Sequence, residues 1–359
     1  GPWFARVLDG LADQDYLNLN TLFLITSEPG DLPAQIKERL PRAFIRAVPS
    51  NPGFGPAANE ALRLVEGNGF FCFMHDDVEL EPRAISILME ELYRSNAGVV
   101  GPKLVEWDEP SRLQHVGTAV DRFAEADPLI EPGEIDQEQH DAVRDVFAVP
   151  SACLLIRADL FRTLGGFQRG YDYHGEDVDL CWRAHLSGAR VLVVPEARAR
   201  HREALAERRP DLAHRAISAR HNVDNMAALT HRARLPLVLV ERLVLSVIET
   251  VVGVFTRTMR SGLATLVATL TMPLRLPEIV RRRKAVRALR EVPPSEVVGL
   301  QLRGSARLNR YLRRRHLRQT GGRQVRDTPR LSVGGPLALW TVLLVLFAVG
   351  SRSFISGAV

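Results

Sequence analysis

The run Phe71-Cys72-Phe73-Met74-His75-Asp76-Asp77-Val78 constrains this chain more than any other stretch. A short apolar segment ends abruptly in an imidazole and two adjacent carboxylates. A buried strand looks like this when it delivers acids to the carboxyl edge of a parallel sheet, where open α/β folds bind ligands. Two carboxylates beside an imidazole repel and desolvate one another, and a cation held between them resolves the conflict. Far downstream lies a second acidic cluster, Gly175-Glu176-Asp177-Val178-Asp179. A metal-binding acid pair with a distant candidate base points to an enzyme that moves a phosphate-bearing group.

The surrounding pattern supports an α/β sheet over residues 1–230, where short apolar runs alternate with helical periodicities. Strands are expected at Thr21–Thr26, Ala43–Val48, Phe70–Met74, Gly98–Leu104, Ala152–Ile156 and Arg190–Val194. Helices are expected at Pro2–Ala12, Pro56–Glu66, Pro82–Arg94, Ala158–Leu164 and Asp177–Ser187, with Pro56 and Pro82 suited to a first helical turn. With 359 residues, 46% of them hydrophobic, the chain can bury a full core and carry a further region. Cys72, Cys153 and Cys181 stand at unrelated spacings in apolar or helical contexts. They read as buried reduced thiols in a cytosolic compartment, not as a disulfide framework or a zinc motif.

Composition changes after residue 230. Within residues 231–290, Leu235–Phe255 is strongly apolar but interrupted by Glu241, Arg242 and Glu249, charges that a membrane-spanning helix rarely tolerates, and Arg260–Leu276 is similar. Two readings stand for this region: amphipathic helices lying in a membrane interface, or amphipathic helices packed on the preceding domain. Residues 281–330 hold fifteen arginines and one lysine against Glu291, Glu296 and Asp327, while the chain as a whole is only +5. The body before this window is therefore acidic, and the Arg-rich juxtamembrane segment at 291–330 is expected to meet an anionic surface. Residues 331–352 approach the length of about 20 apolar residues that crosses a bilayer, the alternative being a buried core helix. A spanning helix there would put the arginines, and the N-terminal domain with them, on the cytoplasmic face of the cell membrane. The chain opens at Gly1-Pro2-Trp3-Phe4 in a helical pattern without a signal peptide, which suggests that the natural protein begins earlier.

Further motifs turn this outline into a specific reading. Asn51-Pro52-Gly53-Phe54-Gly55-Pro56-Ala57-Ala58-Asn59 is a glycine-containing turn feeding a helix. It suits close backbone approach to a diphosphate, or is an ordinary strand-to-helix turn. It is followed by His75-Asp76-Asp77, then by Leu164-Gly165-Gly166-Phe167. Next comes Glu176-Asp177-Val178-Asp179-Leu180-Cys181-Trp182-Arg183, and the series closes with Val193-Val194-Pro195-Glu196-Ala197 leading to His201. Over roughly residues 2–225 this order resembles family 2 glycosyltransferases of the GT-A fold, particularly the rhamnosyl- and galactofuranosyl-transferase-like branch. The layout beyond it resembles large actinobacterial membrane glycosyltransferases. The fold so implied is Rossmann-like, a mostly parallel sheet with flanking helices, followed by amphipathic interfacial helices and one transmembrane helix.

The resemblance also implies roles. Asp77 matches the carboxylate that holds Mg²⁺ or Mn²⁺ on the donor diphosphate. His75 stands where many relatives carry the first acid of an Asp-x-Asp motif, and an imidazole still ligates Mn²⁺. His201 matches a histidine that completes the metal site in some relatives. Asn51, Gly53, Phe54, Asn59 and Asp76 fall on the donor side. Asp177 matches the general base, with Glu176 as its neighbour, giving direct displacement with inversion. The expected partners are a nucleotide-diphosphate sugar, a cell-envelope glycan or lipid-linked acceptor, and membrane lipids, with no nucleic acid. Structural roles compete at each position: Asp77 as a helix cap, Glu176 and Asp177 as first-turn acids, His201 as a solvated side chain, and Asp179 as the partner of Arg183 one turn on.

The chain departs from the family in two places. The usual first strand would lie before Gly1. The base-contacting Asp after the next strand is replaced within Thr26–Asp31. The altered Thr26–Asp31 region, together with His75, favours a rival reading, a catalytically inactive transferase-like scaffold. A second rival reads the Arg-rich window as a nucleic-acid arm, but Tyr311 is its only aromatic residue and offers little for base stacking.

Overall fold

The structure, a computed structural model, describes residues 1–48, 50–256 and 259–307. The strands are β1 (Leu22–Ile25), β2 (Phe44–Ala47), β3 (Phe70–Met74), β4 (Val78–Leu80), β5 (Val99–Glu106), β6 (Leu113–His115), β7 (Thr118–Val120), β8 (Ala126–Pro128), β9 (Arg144–Asp145), β10 (Cys153–Arg157) and β11 (Val191–His201). The helices are α1 (Phe4–Ala12), α2 (Leu32–Arg39), α3 (Phe54–Ala58), α4 (Ala61–Leu64), α5 (Ala84–Ser95), α6 (Ala158–Leu164), α7 (Glu176–Leu186), α8 (Leu205–Arg208), α9 (His214–Leu229), α10 (Leu235–Thr256), α11 (Met259–Leu270), α12 (Leu276–Leu289) and α13 (Pro294–Leu300). Each expected strand forms, and the expected helix at Pro56–Glu66 is two short helices, α3 and α4.

The architecture is mixed α/β: a central sheet ordered β3-β10-β5-β11-β4 with helices packed around it, and a separate parallel pair, β1-β2. The expectation of a mostly parallel sheet is corrected here. β10 runs antiparallel to both β3 and β5, and β4, β6 and β9 also pair antiparallel. In the central sheet only β5 and β11 pair in parallel. β10 misleads because Cys153 to Ile156 are all buried, and a strand covered on both faces reads as a continuous apolar run in either direction. Since β10 opposes both neighbours, β3, β5 and β11 still point the same way, and their carboxyl ends share one edge. The core beside them is aromatic: Phe73 lies 4.7 Å from Phe161 and 5.2 Å from Phe167 between ring centroids.

The helices after residue 230 pack on the sheet domain, and the three charges that interrupt α10 explain how. Arg242 is buried against Glu125 at 2.8 Å, Glu241 meets Arg122 at 3.1 Å, and Glu249 meets Arg307 at 2.7 Å. The expected unit at 231–290 is thus pinned to the domain through its charges, and α12 sends Arg282 into that domain's interior. No single helix among the described residues is long and apolar enough to cross a membrane; a pair bent by 51°, Met259–Leu270 with Met272–Leu289, passes by length and composition alone. The expected transmembrane helix at 331–352, and most of the Arg-rich segment at 291–330, lie outside the described residues.

Candidate active site

The site is assembled where β3 and β11 end. His75 and Asp77 follow the last residue of β3, and His201 closes β11, so three side chains from two parallel strands meet at one edge. One ligand atom from each lies within 4.8 Å of the others. Asp77 Oδ1 is central, 3.6 Å from His201 Nε2 and 3.9 Å from His75 Nδ1.

Hydrogen bonding fixes the orientation of this cluster. Asp77 Oδ2 accepts the Ala204 N–H at 2.8 Å, which leaves Oδ1 buried without a hydrogen bond. His201 Nδ1 lies 2.7 Å from Gln114 Oε1, so the proton belongs on Nδ1 and the Nε2 lone pair faces Asp77. Gln114 also donates to the His201 carbonyl at 3.1 Å, which fixes its own amide orientation. Burial holds His201 down to about 4 against the opposing pull of Asp77, and burial likewise lowers His75, so both imidazoles are neutral at pH 7. Glu203 nearby is raised first by burial, then by Asp77 and Glu106. Neutral imidazoles, an orphaned carboxylate oxygen and crowded acids are what a divalent cation requires. The residues present fit one, and two nitrogen donors favour Mn²⁺ over the oxygen-preferring Mg²⁺.

The second acidic cluster lies at the same edge. The His75 N–H donates to the Ala152 carbonyl at 2.9 Å, and the adjacent Ser151 donates its hydroxyl to Glu176 Oε1 at 2.7 Å. Glu176 is buried, its Oε2 has no hydrogen-bond partner, and burial followed by the charge of Asp177 pushes it up to about 7. Asp177 is half-buried and raised by burial, against hydrogen bonds from Val178 and Ser151. Of the two, Asp177 is the more accessible, and Glu176 is held behind it by Ser151.

A buried network holds this acidic loop from below. Asp179 accepts Arg183 on Oδ2 at 2.9 Å and Arg282 on Oδ1 at 2.7 Å. Arg282 also donates to Tyr171 Oη and Asn225 Oδ1, at 2.7 and 2.8 Å. Tyr171 stacks on His221 with ring centroids 3.9 Å apart, and His221 Nδ1 donates to the His174 carbonyl just before Gly175. Gly175 itself, at φ +82°, turns the chain into α7.

The expected donor-side residues separate. Phe54 sets its ring edge on His75, 4.3 Å between centroids. Gly53, at φ +87°, lies so close to the chain that a Cβ would fall 2.1 Å from the Asp172 carbonyl oxygen; its close approach is to the protein's own backbone. Asn51 Oδ1 accepts the Gly53 N–H and shapes this loop. Asn59 is committed elsewhere: its amide accepts the Phe167 N–H at 2.8 Å and donates to the Phe167 carbonyl at 2.9 Å, so it holds the Gly165–Phe167 turn. Asp76 is exposed and accepts two hydrogen bonds from Arg208 of α8, at 2.7 and 2.9 Å. Residues 26–31 form a largely exposed loop after β1. Gln114, Ser151, Arg208 and Arg282 carried no sequence signal, because each acts through a partner distant in the chain.

A mixed α/β domain with two clusters of acidic and imidazole side chains at one strand edge is a frame that suits a group transferase. The family model described as "Glycosyltransferase like family 2" matches residues 2–220, and the chain belongs to that family. It is 30% identical over 162 residues to the O-antigen biosynthesis protein RfbC of Myxococcus xanthus, covering 44% of this chain and 12% of that protein. It is 28% identical over 152 residues to the pre-mycofactocin glycosyltransferase of Mycobacterium tuberculosis, covering 41% of this chain and 30% of that protein. Both relatives therefore extend far beyond the matched part. The N-acetylglucosaminyl-diphospho-decaprenol L-rhamnosyltransferase of Mycobacterium tuberculosis is 25% identical over 250 residues, covering 62% of this chain and 78% of that protein. Among solved structures, GalNAc-T7 with UDP, GalNAc and Mn²⁺ aligns with a TM-score of 0.45 and 13% identity over 55% of this chain and 40% of that one.

Proposed function

We propose that this chain transfers a sugar from a nucleotide-diphosphate donor to a cell-envelope glycan or a lipid-linked acceptor, with inversion at the anomeric carbon. The observation that carries the proposal is the pairing of two sites at one edge: the His75–Asp77–His201 cluster, and the acid pair tied to it through Ser151 and Ala152. His75, Asp77 and His201 would hold Mg²⁺ or Mn²⁺, whose charge offsets that of the leaving diphosphate. Asp177 takes the proton from the acceptor hydroxyl, and its raised pKa makes its carboxylate a better base than a free aspartate. Glu176 restrains it from behind. Phe54 packs against the His75 ring and holds it towards the cluster. Membership of the family supports the reaction class, and the rhamnosyltransferase relative, by its name, supports a lipid-linked acceptor. We infer that the reaction takes place at the cytoplasmic face of the cell membrane, a reading that a lipid-linked acceptor supports.

Calorimetry with a panel of nucleotides and nucleotide sugars, with and without Mn²⁺, tests this. Metal-dependent binding of one nucleotide class, lost in Asp77→Ala, is the expected result. A second reading, an inactive transferase-like scaffold, draws on the Arg208 guanidinium seated on Asp76 and on the exposed loop at 26–31. It predicts no binding by any member of the panel, in the parent chain or in Arg208→Ala.

A further inference from the structure

The helices after residue 230 display an exposed apolar surface to which the proposed chemistry assigns no residue. α10 and α11 fold back on one another so closely that a Cβ on Gly262 would lie 2.6 Å from the Thr250 nitrogen. α10 turns Val238, Arg242 and Ser246 to the body. Leu237, Val240, Val244, Val247, Val251 and Val254 recur at spacings of three and four and are 41–63% exposed. Leu263, Val267, Leu270 and Leu274 extend the exposed apolar surface along α11 and the turn after it. Contiguous apolar surface on this scale marks contact with a membrane or a partner.

At the foot of this stripe, between α7, α10 and α13, lies a cavity of about 380 Å³. Trp182, Leu186, Leu229 and Val297 form apolar walls. Arg122, Arg234, Arg290 and Arg303 also line it, against the single acid Glu241, which already meets Arg122 at 3.1 Å. Arg234 and Arg290 have no carboxylate partner among the described residues. The Arg290 guanidinium is partly buried and held below its usual pKa by loss of water, then by Arg283. His231, also lining the cavity, is lowered by loss of water and then by Arg290, Arg232, Arg283 and Arg234. Cations therefore crowd this site, and a bound anion would relieve them. Leu237 belongs both to the exposed stripe and to the cavity lining, so the two surfaces are continuous.

We propose that this cavity binds an anionic lipid. The headgroup phosphate lies between Arg234 and Arg290, one acyl chain runs along Trp182, Leu186 and Val297, and the hairpin's apolar stripe rests in the same lipid surface. A soluble phosphate would satisfy the arginines but leave the exposed stripe that begins at Leu237 uncovered. A zwitterionic lipid would cover the stripe but neutralise the arginines less well. The cavity touches the carboxyl end of α7, whose first turn carries Asp177. Nine residues of helix, about 14 Å at 1.5 Å per residue, separate Asp177 from Leu186. The bound lipid is therefore an anchor and not the sugar acceptor, and the inference stands apart from the donor reading.

The test uses the full chain in detergent micelles, with Trp340→Phe as background. Phosphatidylglycerol and phosphatidylcholine carrying brominated acyl chains are titrated in, since bromine quenches tryptophan fluorescence on contact. The glycerol lipid is expected to quench at a concentration lower by roughly tenfold or more, as two arginines near a phosphate imply. Trp182→Phe removes the quenching. Arg234→Gln with Arg290→Gln brings the two lipids together, with an unchanged circular dichroism spectrum showing that the fold survives. Glycerol phosphate without acyl chains does not displace the lipid. Equal quenching by both lipids, quenching that survives Trp182→Phe, or full displacement by glycerol phosphate at lipid concentrations would each overturn the proposal.

Discussion

Asp77 and Asp179 are both buried carboxylates, 1% and 0% exposed, yet the protein treats them differently. Asp179 has both oxygens engaged, one by Arg183 and one by Arg282. Asp77 has one oxygen on a backbone N–H and the other facing two neutral imidazoles with no hydrogen bond. The first arrangement is a completed structural ion pair. The second is a buried carboxylate with Arg208 at 3.7 Å from Oδ2 but with Oδ1 left unbonded, so its compensation is incomplete. Burial alone therefore does not distinguish a structural acid from a functional one; the state of its partners does.

This contrast is open to attack by substitution. The largest effect belongs to the edge site. Asp77→Ala is expected to lower metal-dependent transfer by about 10³-fold or more while the thermal midpoint barely moves, because only one backbone hydrogen bond is lost. Asp177→Asn should match it in turnover and leave metal binding intact. Asp179→Ala should show the opposite pattern. It strands Arg183 and Arg282 without their carboxylate and costs about 3–5 kcal/mol of stability by denaturant titration. If Asp77→Ala unfolds the protein while Asp179→Ala leaves its stability unchanged, the assignment of the two acids is reversed.

Smaller effects sharpen the comparison. Gln114→Ala frees the His201 ring, and Mn²⁺ affinity is expected to fall by roughly 10–100-fold without loss of fold. An unchanged affinity would mean that the tautomer is fixed in another way. The smallest effect is a pH slope. Glu176 has a folded-state pKa of about 7, above its unfolded value, so the folded state binds the extra proton. Its contribution to stability is present at pH 4 and is lost as the pH rises towards 7. Glu176→Gln should remove that slope, gaining relative stability at pH 8 over pH 4.5. A slope unaffected by the substitution would assign the titration to another group.

The sequence carried the edge site more clearly than the network beneath it, for physical reasons. His75, Asp76 and Asp77 end an apolar run, and the strand that lifts them is visible in the same eight residues. The Gly-Glu-Asp-x-Asp turn is similarly local. α9 was not read, although it is one of the longer helices. Its buried face includes His221, Asn222, Asp224 and Asn225, polar residues that hydrogen bonding makes tolerable inside and that erase the apolar periodicity. β6, β7, β8 and β9 are two or three residues long, too short to show alternation. The direction of β10 left no trace in its composition. The charges in α10 were legible as an anomaly, but their partners Glu125, Arg122 and Arg307 lie far away in the chain. The family resemblance points Asn59 towards the donor, and only the fold shows its amide spent on Phe167.

The central claim is that His75, Asp77 and His201 form one metal centre. Pulsed electron paramagnetic resonance of Mn²⁺ bound to the full chain tests it directly. The account predicts ¹⁴N couplings from two imidazoles, reduced to one in His75→Ala or in His201→Ala, with the bound signal lost in Asp77→Ala. Bound Mn²⁺ without nitrogen coupling, or a spectrum indifferent to Asp77→Ala, would contradict it.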